Sequence, residues 1–245
     1  MRYFFRVEYD GTRFGGWQSQ TNAPSIQSAV AKAFSIVTRS ACKVTGAGRT
    51  DAGVHARAQG AHVDVAEAMD PAACEYSVNA ILPHDIAVYG LRAVDPLFHA
   101  RYSATLRRYC YHMTGRKKPL LYKRVWPVFY KVDWQKVREN IRFLPGKHDF
   151  VSFCSSGTST KNTVCTVRAA SLSFDCGDIV FTIAADRFIY KMVRSIVGTL
   201  VDIGRGRLAS TIAEILAAKN RRLAGDTAPA CGLFLDYVEY PEMED

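Results

Sequence analysis

Gly46-Ala47-Gly48-Arg49-Thr50-Asp51-Ala52-Gly53-Val54-His55-Ala56 stands between two runs that read as strands. Cys42 to Thr45 leads into it, and in the run that leaves it Ala61, Val63 and Val65 alternate with His62 and Asp64. Between the strands, three glycines surround a single carboxylate, Asp51, with Arg49 beside it. Glycine admits positive φ and close backbone approach, so such a loop can present one carboxylate at a fixed angle. The plain alternative is an ordinary turn, since Gly, Asp and Thr cluster in turns for their own reasons. A phosphate-binding loop does not fit: the glycines are not spaced G-x-G-x-x-G and no G-K-[ST] follows.

Working outward, Tyr3 to Tyr9 reads as a strand ending at Asp10-Gly11. Ser25 is placed to cap a helix whose apolar stripe is Ile26, Val30, Ala33, Phe34 and Val37. Asp70-Pro71 starts a second helix, expected to run to about Leu82 before Pro83, and Ile86 to Leu91 is a strand. A similar grammar follows Asp95-Pro96: a long strand from Ala104 to Thr114, a basic loop at Arg116-Lys117-Lys118-Pro119, and a helix begun by Asp133 and expected to end with Gly146 as its C-cap. Ser155 to Lys161 reads as a polar loop, and Val167 to Phe174 with Ile179 to Ala184 as a hairpin turning at Asp175-Cys176-Gly177-Asp178. Phe188 to Ile203 is the most apolar helix, Thr211-x-x-Glu214 a capping box, and Leu233 to Tyr240 a closing strand.

Strands and helices are interspersed and hairpins recur, which predicts an α+β fold with mostly antiparallel mixed sheet and helices on one side. The repeated element order predicts two pseudo-duplicated halves, 1–100 carrying the Asp51 loop and 101–245, with a cleft between them.

The 245 residues carry 32 Lys and Arg against 23 Asp and Glu, a net charge of +9, which suits a polyanionic partner. Seven cysteines, odd in number and with no C-x-x-C pair, fit reduced thiols. No apolar run approaches a membrane span and Met1-Arg2-Tyr3-Phe4 opens as a strand, so a soluble, cytoplasmic protein is expected. No H-E-x-x-H or Cys/His cluster exists, so no metal is expected.

In the strand Arg107-Arg108-Tyr109-Cys110-Tyr111, cations interleave with aromatic residues, which suits nucleic acid because phosphates and exposed bases can both be met; a half-buried strand with ordinary tyrosines reads the same way. Arg187, Lys191 and Arg194 fall at i, i+4 and i+7 of the apolar helix. Arg194 is closely flanked by apolar residues, and a guanidinium so placed normally has a carboxylate partner, for which Asp51 is the candidate.

Taken together these motifs resemble the tRNA pseudouridine synthase I (TruA-type) family over nearly the whole chain. The resemblance runs through Tyr9-Asp10-Gly11, Phe14-Gly15-Gly16-Trp17-Gln18, Gly48 to Ala56 with Gln59, Asn79-Ala80-Ile81-Leu82-Pro83 and Phe98-His99-Ala100-Arg101-Tyr102-Ser103-Ala104. It continues in Arg108-Tyr109-Cys110-Tyr111, His148-Asp149-Phe150, Met192 to Gly198, and Ala224-Gly225 through Thr227-Ala228-Pro229-Ala230 to Gly232-Leu233. The resemblance implies a homodimeric enzyme, without metal or organic cofactor, that isomerises uridine to pseudouridine at positions 38 to 40 of the tRNA anticodon stem-loop. It implies Asp51 as the catalytic aspartate, nucleophile or base, and Arg49 as the residue that fills the space left by a flipped nucleotide. Tyr109 would stack on the uracil, Arg194 pair with the aspartate, Leu233 wall the pocket, and Arg101 contact substrate. Lys191 and Asp186 depart from the family's usual residues. A non-catalytic RNA-binding protein using the same cleft is the alternative.

Overall fold

The computed structural model describes residues 1–155, 162–175, 177–241 and 243. Most of the polar loop expected from Ser155 to Lys161, and Cys176 in the expected hairpin turn, lie outside the described residues. The chain forms two compact units, Met1–Thr105 with Phe234–Asp245, and Leu106–Leu233.

In the first unit the elements are β1 (Arg2–Tyr9), α1 (Ile26–Val37), β2 (Val44–Gly46), β3 (His55–Asp64), α2 (Pro71–Ile81) and β4 (Ile86–Val94). The sheet order is β4-β1-β3-β10, where β10 is Leu233–Glu239, and β2 adds to β3. β1 pairs antiparallel with β3 and β4, and its alternating Tyr3, Phe5 and Val7 are buried, Phe5 against Phe34 of α1 at 4.9 Å between rings. Ser25 and Asp70 cap α1 and α2 as their positions in the sequence predict, each accepting from a backbone N–H of the first turn. Asn79 on α2 explains its place in the motif: its amide donates to Val88 O (2.7 Å) and accepts from Val88 N (2.8 Å), clamping β4 to the helix.

The division differs from the expected one at its C-terminal end. β10 runs parallel to β3, with Phe234 opposite His55 and Leu235 opposite Ala56, so residues from Phe234 on belong with the first unit. A pairing between strands so far apart in sequence has no turn to announce it.

The second unit holds β5 (Leu106–Thr114), β6 (Trp126–Pro127), α3 (Trp134–Ile141), β7 (Gly146–Asp149), β8 (Val164–Asp175), β9 (Asp178–Ala185), α4 (Met192–Gly204) and α5 (Ile212–Ala218). The order is β5-β9-β8-β7, antiparallel throughout, with β6 parallel to the end of β5. α3 ends at Ile141 and Gly146 is not its C-cap; at φ 116 that glycine instead opens β7. α4 begins at Met192 rather than Phe188, because Lys191 takes a left-handed conformation (φ 58) as its N-cap. Arg187 and Lys191 therefore precede the helix, and the basic stripe reduces to Arg194. The capping box of Thr211 and Glu214 forms on α5 as expected.

The sheet-and-helix composition is α+β and mostly antiparallel. Among the described residues no helix is long and apolar enough to cross a membrane. Cys42, Cys74, Cys110, Cys154, Cys165 and Cys231 are free thiols.

Candidate active site

The β2–β3 ladder delivers the chain to the Asp51 loop through Val44 opposite Val63, Thr45 opposite His62 and Gly46 opposite Ala61. Beyond the ladder, Ala47 N donates to Gly60 O (2.8 Å) and the Gln59 amide donates to Gly48 O (2.8 Å). Thr50 is buried and held twice: Trp17 N donates to its carbonyl (3.1 Å), and its hydroxyl bonds the Tyr9 hydroxyl (2.8 Å). Val54 N then donates to Asp51 O (3.2 Å), closing a tight turn in which Gly53 takes φ 75. Asp51 sits half-buried at the head of that turn, and Arg49 is exposed with Nε donating to Gln18 Oε1 (3.1 Å).

The residue types of Tyr9-Asp10-Gly11 and Phe14 to Gln18, before the loop, announce no task of their own. The structure supplies one, because both brace the loop by backbone approach. A Cβ on Gly11 would lie 2.0 Å from Val54 O, and one on Gly16, at φ 103, would lie 2.4 Å from Thr50 O. Neither distance admits a side chain. Gly11 N also donates to His55 Nδ1 (3.1 Å), and the His55 ring stacks on Phe234 at 4.6 Å, so His55 is a buried support at the start of β3.

Arg101 lies in the turn from Phe98 to Ser103, exposed, its guanidinium 5.8 Å from the Tyr102 ring. That turn rests on β3. Ala100 N donates to His62 Nδ1 (3.1 Å), Arg2 donates to Phe98 O (2.6 Å), and Tyr240 OH donates to Ala100 O (2.7 Å). Burial, with the charge of Arg2 and the neighbouring His99, lowers the His62 pKa from 6.5 to about 4, which leaves the imidazole neutral and able to accept.

In the second unit Tyr109 sits on β5 opposite Ile183 of β9, half-buried, with its ring edge-to-face on Phe188 at 5.0 Å. Arg107 on the same strand donates to Asp186 O (2.8 Å). Asp186 is a structural residue: its carboxylate accepts from Thr166 N (2.9 Å) and its own N donates to Thr166 O (3.1 Å) beside the bulge between Val167 and Ala169. Lys191 lays its ammonium 5.0 Å from the Tyr190 ring.

Arg194 is half-buried on α4 and tied to the segment that precedes Leu233: its Nε donates to Ala228 O (2.8 Å) and Ala228 N donates to Arg194 O (3.0 Å). The same segment is fastened along its length. Gly225 N donates to Thr199 Oγ1 (3.0 Å), Asp226 N to Asp202 Oδ2 (3.2 Å), and Tyr111 OH to Pro229 O (2.7 Å). Burial raises the Tyr111 pKa well above its ordinary value, so the hydroxyl keeps the proton it donates. Leu233 follows at the end of a single 3-10 turn and is buried, while Gly232 before it packs where a Cβ would be 2.7 Å from His112 O.

Asp51, Arg49 and Arg101 thus belong to the first unit, and Tyr109, Arg194 and Leu233 to the second. Among the described residues no group of three metal-capable side chains comes together. The available chemistry is that of one carboxylate on a braced turn, an accessible arginine two residues before it, and, in the other unit, an aromatic ring with an anchored arginine.

Comparison with known proteins accords with these motifs. A family profile described as tRNA pseudouridine synthase matches residues 6–103 and 141–241. The tRNA pseudouridine synthase A of Bacteroides thetaiotaomicron is 42% identical over 245 residues, 98% of this chain and 91% of that protein. That of Neorickettsia sennetsu is 42% identical over 244 residues, covering 98% and 100%, and that of Acetivibrio thermocellus 40% over 237 residues, covering 96% and 97%.

Proposed function

This chain belongs to the tRNA pseudouridine synthase family, and on that premise we propose that it isomerises uridine to pseudouridine at positions 38 to 40 of the tRNA anticodon stem-loop, with Asp51 carrying the chemistry. The reaction breaks the bond from ribose C1′ to uracil N1, turns the base and joins C1′ to C5; the C5 proton leaves to solvent and N1 takes up a proton in its place. A base stacked and paired in a helix cannot be detached and turned over in place, so the nucleotide must first leave the stack. The observation that carries the reading is the Asp51 turn, whose backbone is held from Ala47 to Val54 by strand, loop and side-chain bonds before any substrate arrives. Preorganisation of this kind spends no binding energy on ordering the carboxylate at the moment of reaction.

Asp51 acts as nucleophile at C1′ or as the base that opens an elimination route; either uses one carboxylate and no metal. Arg49 takes the space vacated by the flipped nucleotide, which its exposed guanidinium two residues from Asp51 suits. Tyr109 stacks on the uracil, Leu233 closes the apolar side of the pocket, Arg194 is the cation assigned to the carboxylate, and Arg101 meets the RNA backbone. The charge distribution supports an RNA substrate. From Pro96 to Val132 the chain holds nine Lys and Arg and no Asp or Glu, a charge equal to the net +9 of the whole protein. The enzyme works as a cytoplasmic homodimer without cofactor, and elution at monomer size at micromolar concentration would contradict the dimer.

The decisive experiment incubates the protein with unmodified tRNA labelled with tritium at uridine C5 and maps the product by mass spectrometry. Wild type releases tritium and converts uridines 38 to 40; Asp51→Ala releases none while binding tRNA with affinity within about threefold of wild type. Turnover by that variant removes Asp51 from the mechanism, and a wild type that forms no pseudouridine leaves only the RNA-binding alternative.

A further inference from the structure

Gln59 lies on β3 next to the loop, wholly buried at 0% exposure, and its carboxamide is used by half. Nε2 donates to Gly48 O at 2.8 Å, whereas Oε1, equally buried, has no partner among the described residues. A buried acceptor without a partner destabilises the fold, and an apolar side chain of the same length would avoid that cost, so such a group in a core calls for a reason beyond packing.

The reason is visible in where the ladder stops. β2 pairs with β3 as far as Gly46 opposite Ala61, and one further backbone bond joins Ala47 N to Gly60 O. The next residue, Gly48, has open space around its α-carbon, with nothing within 4 Å of where a Cβ would stand. No neighbouring side chain pins this glycine, which immediately precedes Arg49. The Gln59 side chain reaches this point and bonds the Gly48 carbonyl, extending the β2–β3 pairing one residue past the backbone ladder. Orienting that carbonyl orients the Gly48–Arg49 peptide, and thereby the direction in which the exposed Arg49 side chain leaves the loop.

We propose that Gln59 is a positioning residue of this enzyme, which fixes the Gly48–Arg49 peptide so that Arg49 projects toward the RNA when the target nucleotide is flipped. This rests on the reading of the loop as the active site. Gln59 touches no substrate; it acts through Arg49.

The test uses full-length protein and unmodified tRNA. Gln59→Met keeps length and volume while removing the donor and the orphaned acceptor together, and Gln59→Leu serves as a second apolar variant if the first folds poorly. The expected result is a fall in kcat of about tenfold or more, a tRNA Kd within about threefold of wild type, and a thermal midpoint little changed, because losing the orphaned acceptor offsets losing the donor to the part-buried Gly48 carbonyl. In an Arg49→Ala background the same substitution costs less than about twofold further, because the group it positions is already gone. Wild-type kcat in both apolar variants overturns the proposal. So does a full additional loss on top of Arg49→Ala, or a fall in thermal midpoint that tracks the fall in kcat, either of which marks a merely structural residue. Absence of pseudouridine with wild-type protein in the same assay is a different result, and sinks the enzymatic reading itself.

Discussion

The Asp51 loop and the Arg194 helix both rely on close backbone approach and differ in what is added to it. In the loop, backbone meets backbone: Gly11 and Gly16 let two turns press against Val54 and Thr50 at distances no side chain tolerates, and hydrogen bonds close the remaining freedom. Around Arg194 backbone also meets backbone, a Cβ on Gly198 falling 1.8 Å from Asp226 O and Ala228 N donating to Arg194 O, but side chains reach across as well. Thr199, Asp202, Tyr111 and Arg194 itself each bond the segment from Gly225 to Pro229. The loop is intolerant of added atoms, and the helix both of added atoms at Gly198 and of lost donors and acceptors. A short loop has too few side chains to fix its own geometry, whereas a helix of thirteen residues can project several toward one neighbouring strap.

The contrast breaks first at Gly16. Gly16→Ala places a methyl 2.4 Å from Thr50 O on a backbone at φ 103, so a loss of about 2–4 kcal/mol in urea unfolding is expected, together with loss of pseudouridine formation. A variant with wild-type stability would show that the loop yields easily and is not fixed by close approach. Next is Thr199→Val, which keeps the shape but removes the acceptor for Gly225 N and the donor to Ser195 O. A cost of about 1–2 kcal/mol is expected from the part-buried N–H left unsatisfied, read as a lower urea midpoint. If the strap were held by packing alone, the midpoint would not move.

A third effect appears only in acid. The His62 pKa lies below its ordinary value, at about 4 against 6.5, so between those values the unfolded chain binds a proton that the folded chain refuses. Stability is therefore full above pH 6.5 and declines as the pH falls toward 4. The decline should flatten in His62→Asn, which has no imidazole to protonate and can still accept from Ala100 N; an unchanged acid profile would exclude His62 as its source. The smallest effect belongs to Tyr9→Phe. It deletes one hydroxyl partner of Thr50 and leaves the backbone contacts intact, for about 0.5–1.5 kcal/mol in unfolding and a modest reduction in kcat. A large loss of activity there would mean that the loop depends on side chains after all.

Local signals were well placed to be read without coordinates. Ser25, Asp70, Asp133 and Thr211 sit where they cap, and the aromatic and β-branched run Tyr3–Tyr9 ending at Asp10-Gly11 marks a strand, because capping and strand propensity act within a few residues. Signals that depend on positive φ at a non-glycine residue were not. Lys191 looks like one member of a basic helical stripe, and only the left-handed backbone at that residue separates it from Arg194. Gly146 has the composition of a C-cap and the geometry of a strand start.

For the site, the sequence alone determined the candidate side chains, Asp51 and Arg49 between glycines, Tyr109 in a basic and aromatic strand and Arg194 among apolar residues, since residue type and spacing suffice to name a carboxylate, a cation and a ring. Tertiary structure alone decided what holds them. The parallel placement of β10, the use of Gly11 and Gly16 as clearances, the strap over α4 and the reach of Gln59 to Gly48 all join residues distant in the chain. Such contacts form because folding brings backbone donors and acceptors together after burial has excluded water, and no local pattern of side chains encodes them.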